Sequence, residues 1–415
     1  MTLFFQKYYY HFILVTVGLL WLLFLSAMLD ISAQTLIYPD AGDYNLSATN
    51  LYLYFRGHCY RPMLMAAIYG FPLLFGASAF DLYGIAIYIN IFLWLATILI
   101  LFELLQTYVS EKIAFLISLC FVFFVSNALF NFHLLAETPF LFFLISGFYF
   151  IQKYTQTKVF KWLVFALSII VLSMLIKPAS KFFAILMLLY FAKILFSQYK
   201  QKVMVFLYAS LVLCFVQAAG LKHQFGDFTI SYIDSVTFYN YLFSKADCYR
   251  KGVEYNQIKN PRAEYLFTHK AHEQKQIANA DIKEQLLNNK WNLIKAYSHN
   301  FMWNSVTGSI CINGYSNVKG NPNFETNQTI LSWISKYQNR LITGLGIVLT
   351  LLSVWQYYRK DTFLLFAGLL ILYIIGISGI SSNQGDRFHL ITYPFTLLLF
   401  AKYLSTKPFF APLQK

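Results

Sequence analysis

The stretch Tyr38-Pro39-Asp40-Ala41-Gly42-Asp43-Tyr44 sets two carboxylates and two tyrosines in a short glycine-containing turn after a long apolar run. A carboxylate held in a partly desolvated turn can take a proton from an attacking hydroxyl. Asp40, with Asp43 as its competitor in the same turn, is therefore the candidate general base. The same residues also have a structural reading: Asp40 opens an Asx turn, Gly42 supplies an unusual backbone angle, and Asp43 caps the next helix. His133 and Glu137 stand just ahead of an apolar run, with Pro139 at a position suited to a helix's first turn. Glu137 reads either as a residue favoured by the helix dipole or as a partner for a substrate hydroxyl. The pair also leaves a divalent metal open, although no third ligand stands at a fitting spacing and hard cations prefer oxygen donors. The cations Arg61 and Lys177, each followed by proline, and Arg387 are either snorkelling side chains or clamps for a phosphate. Arg387 suits phosphate best, because a guanidinium grips it with two prongs.

These residues stand out because the chain around them is so apolar. Of 415 residues, 58% are hydrophobic, 20% aromatic and only 12% charged, against roughly 25% charged in soluble domains. The apolar residues come in blocks of about 20, the length that crosses hydrocarbon as a helix. A β-barrel would show short alternating segments instead. The net charge of +14 falls in short connections and one long polar loop. That distribution fits lipid headgroups and topology, and no basic stripe with interleaved aromatics points to nucleic acid. The first run, Phe12 to Leu29, is too long for a signal core and lacks a cleavage site, so it reads as a retained anchor.

The expected fold is an all-α polytopic membrane protein with about ten transmembrane helices, both termini cytoplasmic. Residues 1–221 form an N-terminal transmembrane module with a first outer loop at 30–61, and Pro62 to Gly76 is an interfacial segment broken by Gly70 and Pro72. Residues 222–340 form a large, partly helical extracytoplasmic loop, and 341–415 hold the C-terminal transmembrane helices. The cytoplasmic side is assigned from Lys7, Lys112, Lys153, Lys158, Lys161, Lys193, Lys200, Lys202, Arg359, Lys360, Lys402, Lys407 and Lys415. Asp40, Asp43, His133, Glu137, Lys177, Lys181, Asp386 and Arg387 then emerge together on the other side. A transporter would keep such residues near the midplane, so their gathering at one face points to a reaction at the membrane surface. In the long loop, Trp291 and Trp303 either stack on sugars or anchor helices at the interface. Cys248 and Cys311 share that loop, which leaves a disulfide open if it faces an oxidising compartment.

The order of these motifs resembles the GT-C superfamily of membrane glycosyltransferases, in particular the protein O-mannosyltransferase, aminoarabinose transferase and lipopolysaccharide-core galacturonosyltransferase group. The resemblance runs from the acidic first loop through Arg61-Pro62, Leu135-Ala136-Glu137-Thr138 and Ile176-Lys177-Pro178 to Arg387-Phe388 and Tyr393-Pro394. It covers nearly the whole chain except the long loop. It implies transfer of a sugar, with inversion, from a polyprenyl-phosphate donor to an extracytoplasmic glycan, lipid or protein at a bacterial inner (cytoplasmic) membrane. In that frame Asp40, with Asp43 beside it, is the base, and Tyr44, Arg61, His133, Glu137, Lys177 and Arg387 bind substrate. The chain departs from the pattern at Lys177, where arginine is commoner, and at Phe388, where tyrosine is usual. Metal dependence varies across the superfamily, so no cofactor is implied and a divalent metal stays open. Two other readings remain: an envelope polysaccharide polymerase or ligase relying on Arg250, Arg262 and Arg340, and a lipid or solute transporter.

Overall fold

The computed structural model describes residues 2–31, 38–357 and 361–406, and the regular elements among them are all helical. The chain opens with α1 (Thr2–Met28), α2 (Ala41–Tyr54), α3 (Met63–Gly70), α4 (Asp81–Leu105), α5 (Glu111–Val122) and α6 (Val125–Leu129). It continues through α7 (Glu137–Thr157), α8 (Phe160–Ser173), α9 (Lys181–Ser197) and α10 (Met204–Phe225). A run of more polar helices follows: α11 (Ile233–Thr237), α12 (Ser244–Lys251), α13 (Pro261–Phe267), α14 (Ala271–Asn288) and α15 (Lys290–Val306). The last three are α16 (Phe324–Tyr357), α17 (Thr362–Ser378) and α18 (Tyr393–Ser405). Helix α7 packs between α4 and α8, and α16 packs on α17 and α18.

About ten transmembrane helices were expected, and the structure corrects this. Among the described residues four helices are long and apolar enough to cross a membrane: Tyr8–Met28, Asp81–Leu105, Pro178–Ser197 and Met204–Phe225. A fifth arises only if α5 and Val125–Phe132, bent by 66°, count as one span. Met63–Phe75, Phe160–Ser173 and Thr362–Ser378 are apolar but shorter. Helices α7, α17 and α18 bury Phe140, Phe148, Phe363, Leu370, Phe395 and Leu398 inside the protein. Core and lipid select the same side chains, so an apolar run does not by itself distinguish a span from a core helix. Four spans would keep both termini on one side and five would not, so an N-in, C-in arrangement no longer follows from the span count. Of the cations used to assign sides, Arg359, Lys360, Lys407, Lys415 and the side chain of Lys7 lie outside the described residues.

Two local features place the site. The bend between α5 and α6 frees a carbonyl at Phe123 and an N–H at Val125, and the Gln338 amide of α16 satisfies both, at 2.9 Å each. The Tyr38–Tyr44 stretch is also less a turn than a helix start. Asp40 occupies the N-cap of α2 without a capping hydrogen bond from its side chain, and Asp43 lies in the first turn. Gly42 is inside the helix and takes no left-handed angle, so Asp40's carboxylate is free of local backbone duties. All five cysteines are free, Cys248 and Cys311 included.

Candidate functional site

The N-terminal half of the site is built on α2 and the connection to α3. Arg61 places one guanidinium nitrogen 3.2 Å from Asp40 and 3.0 Å from Asp43. Its flat face lies over the Tyr44 ring, 4.5 Å from the centroid, so Tyr44 is a platform for Arg61. His58 fixes this connection by accepting the backbone N–H groups of Tyr60 and Arg61 at its Nδ1. The carboxylates of Asp40 and Asp43 stay 33% and 43% exposed, open to an incoming molecule.

The other half is sealed. Glu137 is the first residue of α7 and is fully buried. Its Oε1 accepts from Lys177 Nζ at 2.8 Å and from Arg387 Nε at 2.6 Å, while Oε2 has no partner. Pro178 favours the extended backbone seen at Lys177, which sends this lysine inward over the Phe388 ring, 4.8 Å from its centroid. Arg387 joins the halves: its NH1 reaches Asp40 at 2.7 Å while Nε holds Glu137, and its guanidinium lies 5.2 Å from the Tyr38 centroid. Burial pushes the Asp40 carboxyl up, but Arg387 and then Arg61 more than offset this and hold it at about 2. Three carboxylates and three cations thus neutralise one another in the free protein.

Amides on α15 and α16 position Arg387, and these were not singled out from the sequence. Asn304 donates to the carbonyls of Ser378 and Ser381, both at 2.9 Å, and accepts the Gln384 N–H at 3.1 Å. One turn earlier, Asn300 donates to the Gly379 carbonyl and accepts from Ser382 and from Lys245. Gly385 has φ +54°, and a Cβ there would sit 2.4 Å from the Gly308 carbonyl oxygen, so glycine is required. The one available signal was the i, i+4 repeat of asparagine at 300 and 304 in an otherwise mixed helix.

His133 lies beside this network rather than in it. Its Nε2 is 3.1 Å from the Tyr315 hydroxyl, its Nδ1 has no partner, and its ring meets Tyr38 edge-on. Burial lowers its pKa to about 4, so it is neutral at pH 7. No group of three His, Cys, Asp or Glu side chains among the described residues could hold a metal. Glu137 Oε1 is engaged by Lys177 and Arg387, so its charge is already balanced by two cations. Asp386, next to Arg387, turns away into the core, where it pairs with Ser126 and leaves Oδ1 without a partner. Burial raises its carboxyl to about 7. Arg250 and Arg262 are engaged by Asp247, Glu284 and Asp281, and Arg340 by the Val306 carbonyl.

No protein-family model matches the chain, and no curated protein matches it. Its structure is weakly similar to an archaeal oligosaccharyltransferase, AglB from Archaeoglobus fulgidus, solved with an inhibitory peptide and a dolichol-phosphate. The TM-score is 0.44 and the identity 13% over 97% of this chain. The chain spans 50% of that protein's length.

Proposed function

We propose that this chain is an integral membrane glycosyltransferase that moves a sugar from a polyprenyl-phosphate donor to a hydroxyl acceptor. The observation that carries this reading is the asymmetric grip of Arg387, anchored at Nε by buried Glu137 and bonded at NH1 to the accessible Asp40. A donor phosphate would compete with Asp40 for that NH1 end and draw on Lys177 as well. Once released from its cation, Asp40 would regain basicity. It would then take the acceptor's proton as the oxygen attacks the anomeric carbon and the bond from that carbon to the phosphate oxygen breaks. The lipid phosphate would leave with its charge held by Arg387 and Lys177, and a single displacement inverts the anomeric centre. Glu137 holds the two cations, Arg61 and Tyr44 shape the acceptor side, and His133 with Tyr38 forms a neutral wall for the sugar.

We further propose that the reaction runs on the extracytoplasmic face of a bacterial cytoplasmic membrane. Lys153, Lys158, Lys161, Lys193, Lys200 and Lys202 lie at or beyond the α7 and α9 ends remote from Glu137 and Lys181, as cytoplasmic connections would. The test is release of polyprenyl phosphate from a labelled polyprenyl-phosphate sugar by the purified protein with envelope extract as acceptor. Glycan mass spectrometry of a deletion strain would name the sugar. Asp40→Asn abolishes release while the protein still inserts and purifies normally. An active Asp40→Asn beside an inactive Asp43→Asn would transfer the base to Asp43.

A further inference from the structure

Along α7 and the last third of α4, a groove runs through two chambers that share Glu103 and Tyr149. The larger, about 510 Å³, has apolar walls from Leu99, Ile100, Phe142, Phe143 and Ile169, with Ser146 among them. The smaller, about 220 Å³, is lined by Gln106, Thr107, Gln152, Lys153 and Gln156. Phe142, Ser146, Tyr149, Lys153 and Gln156 recur at spacings of three and four, so they form one stripe down α7. At about 1.5 Å per residue the stripe passes from hydrocarbon through a hydroxyl to a charged end over roughly 20 Å.

Two polar groups on this stripe lack a matching partner. Ser146 Oγ is buried without a hydrogen bond. Lys153 has no carboxylate within ion-pair distance among the described residues, and its ammonium rests over the Tyr149 ring, 5.2 Å from the centroid. In the polar chamber, Glu103 of α4 is 47% exposed; its Oε1 is hydrogen-bonded to His11 Nε2 at 2.8 Å, and the carboxylate still faces the chamber. The groove therefore offers an unpaired cation, a facing carboxylate, a buried hydroxyl donor and an apolar trough.

We propose that this groove binds one glycerophospholipid with an ethanolamine-type head. Lys153 and the neighbouring glutamines take the phosphate, and Glu103 takes the ammonium. Ser146 donates to an ester carbonyl, and an acyl chain fills the space beside Phe142, Phe143 and Ile169. The apolar chamber takes the acyl chain, and the polar chamber, lined by both Lys153 and Glu103, matches the paired charges of the head. A glycerol head supplies no cation for Glu103 and sets a net anion beside it, so the site discriminates against it. The head-group residues Lys153 and Gln156 lie at the end of α7 remote from Glu137, and the proposal does not depend on the reaction proposed above.

The full-length protein is reconstituted in bilayer discs of equimolar phosphatidylethanolamine and phosphatidylglycerol, released into mild detergent, and its retained lipids are counted by native mass spectrometry. The expected result is one retained phosphatidylethanolamine, enriched about tenfold over phosphatidylglycerol. Lys153→Gln and Glu103→Gln each reduce that retention about tenfold, and Ser146→Ala weakens both lipids while leaving the preference intact. Glu103→Lys shifts the preference to phosphatidylglycerol. Gel filtration and circular dichroism verify each fold; should Lys153→Gln misfold, the half-exposed Glu103 variants still give the answer. Equal retention of the two lipids by the native protein, a preference for phosphatidylglycerol, or native-like retention by the Glu103 variants overturns the proposal.

Discussion

The two halves of the charged cluster share Arg387 yet differ in their access to water. On the side of α2 the carboxylates of Asp40 and Asp43 are a third or more exposed, and Arg61 serves both. On the side of α7 the Glu137 carboxylate is fully buried and bonded to Lys177 and Arg387. A buried ion pair resists loss of one partner, because the charge left behind has neither water nor counter-ion. An exposed pair loses little when broken. The Glu137 anchor in the sealed half therefore governs stability while the open half holds the proposed base, and substitutions can separate the two.

The largest effect is expected at Glu137. Glu137→Ala leaves buried Lys177 without its carboxylate and Arg387 with Asp40 alone, and costs about 3–5 kcal/mol, read as a lowered unfolding temperature in detergent; native-like stability would break the contrast. Asp40→Asn is the mirror case, with turnover reduced about 10²–10⁴-fold and stability changed by at most about 1 kcal/mol. Asn304→Ala removes three hydrogen bonds from the segment that carries Arg387. It should cost about 1–3 kcal/mol and raise the donor KM more than it lowers kcat.

Asp386 sharpens the comparison through pH. Its folded pKa of about 7 lies above the unfolded value, which is about 3.9. The folded state thus binds the extra proton, and this contribution is complete below the unfolded value and lost as pH rises through 7. Asp386→Asn should flatten the decline in unfolding temperature between about pH 4 and 7. The smallest effect falls on Asp43→Asn, which leaves Arg61 with Asp40 and Tyr44 and should keep turnover within about fivefold and stability within about 1 kcal/mol.

Asp40, Arg61, Glu137, Lys177 and Arg387 were legible because each is an ion stranded between apolar runs, and the fold brings them into one network. The roles of Asn300, Asn304 and Gln338 were not legible. An amide has no preferred partner in sequence, and these find theirs only when α15 and α16 dock. Asp386 read as part of the same charged island as Arg387, because adjacency along the chain does not reveal that the two side chains face opposite ways. Helical character was plain throughout, but the number of spans was not, since Phe148 and Phe363 look the same whether protein or lipid covers them.

The dependence of the site on Arg387 has a consequence for how the chain is made. Asp40, Asp43, Arg61, Glu137 and Lys177 leave the ribosome well before Arg387, which follows only after the polar helices and α16 and α17 have been synthesised. Until then Glu137 has half its partners and Asp40 lacks the cation that bonds it most closely. The nascent protein thus carries an unfinished electrostatic lock from the synthesis of α7 until residue 387 is made. Arrested chains should stay protease-sensitive around α7 until residue 387 has cleared the ribosome, and become resistant soon after.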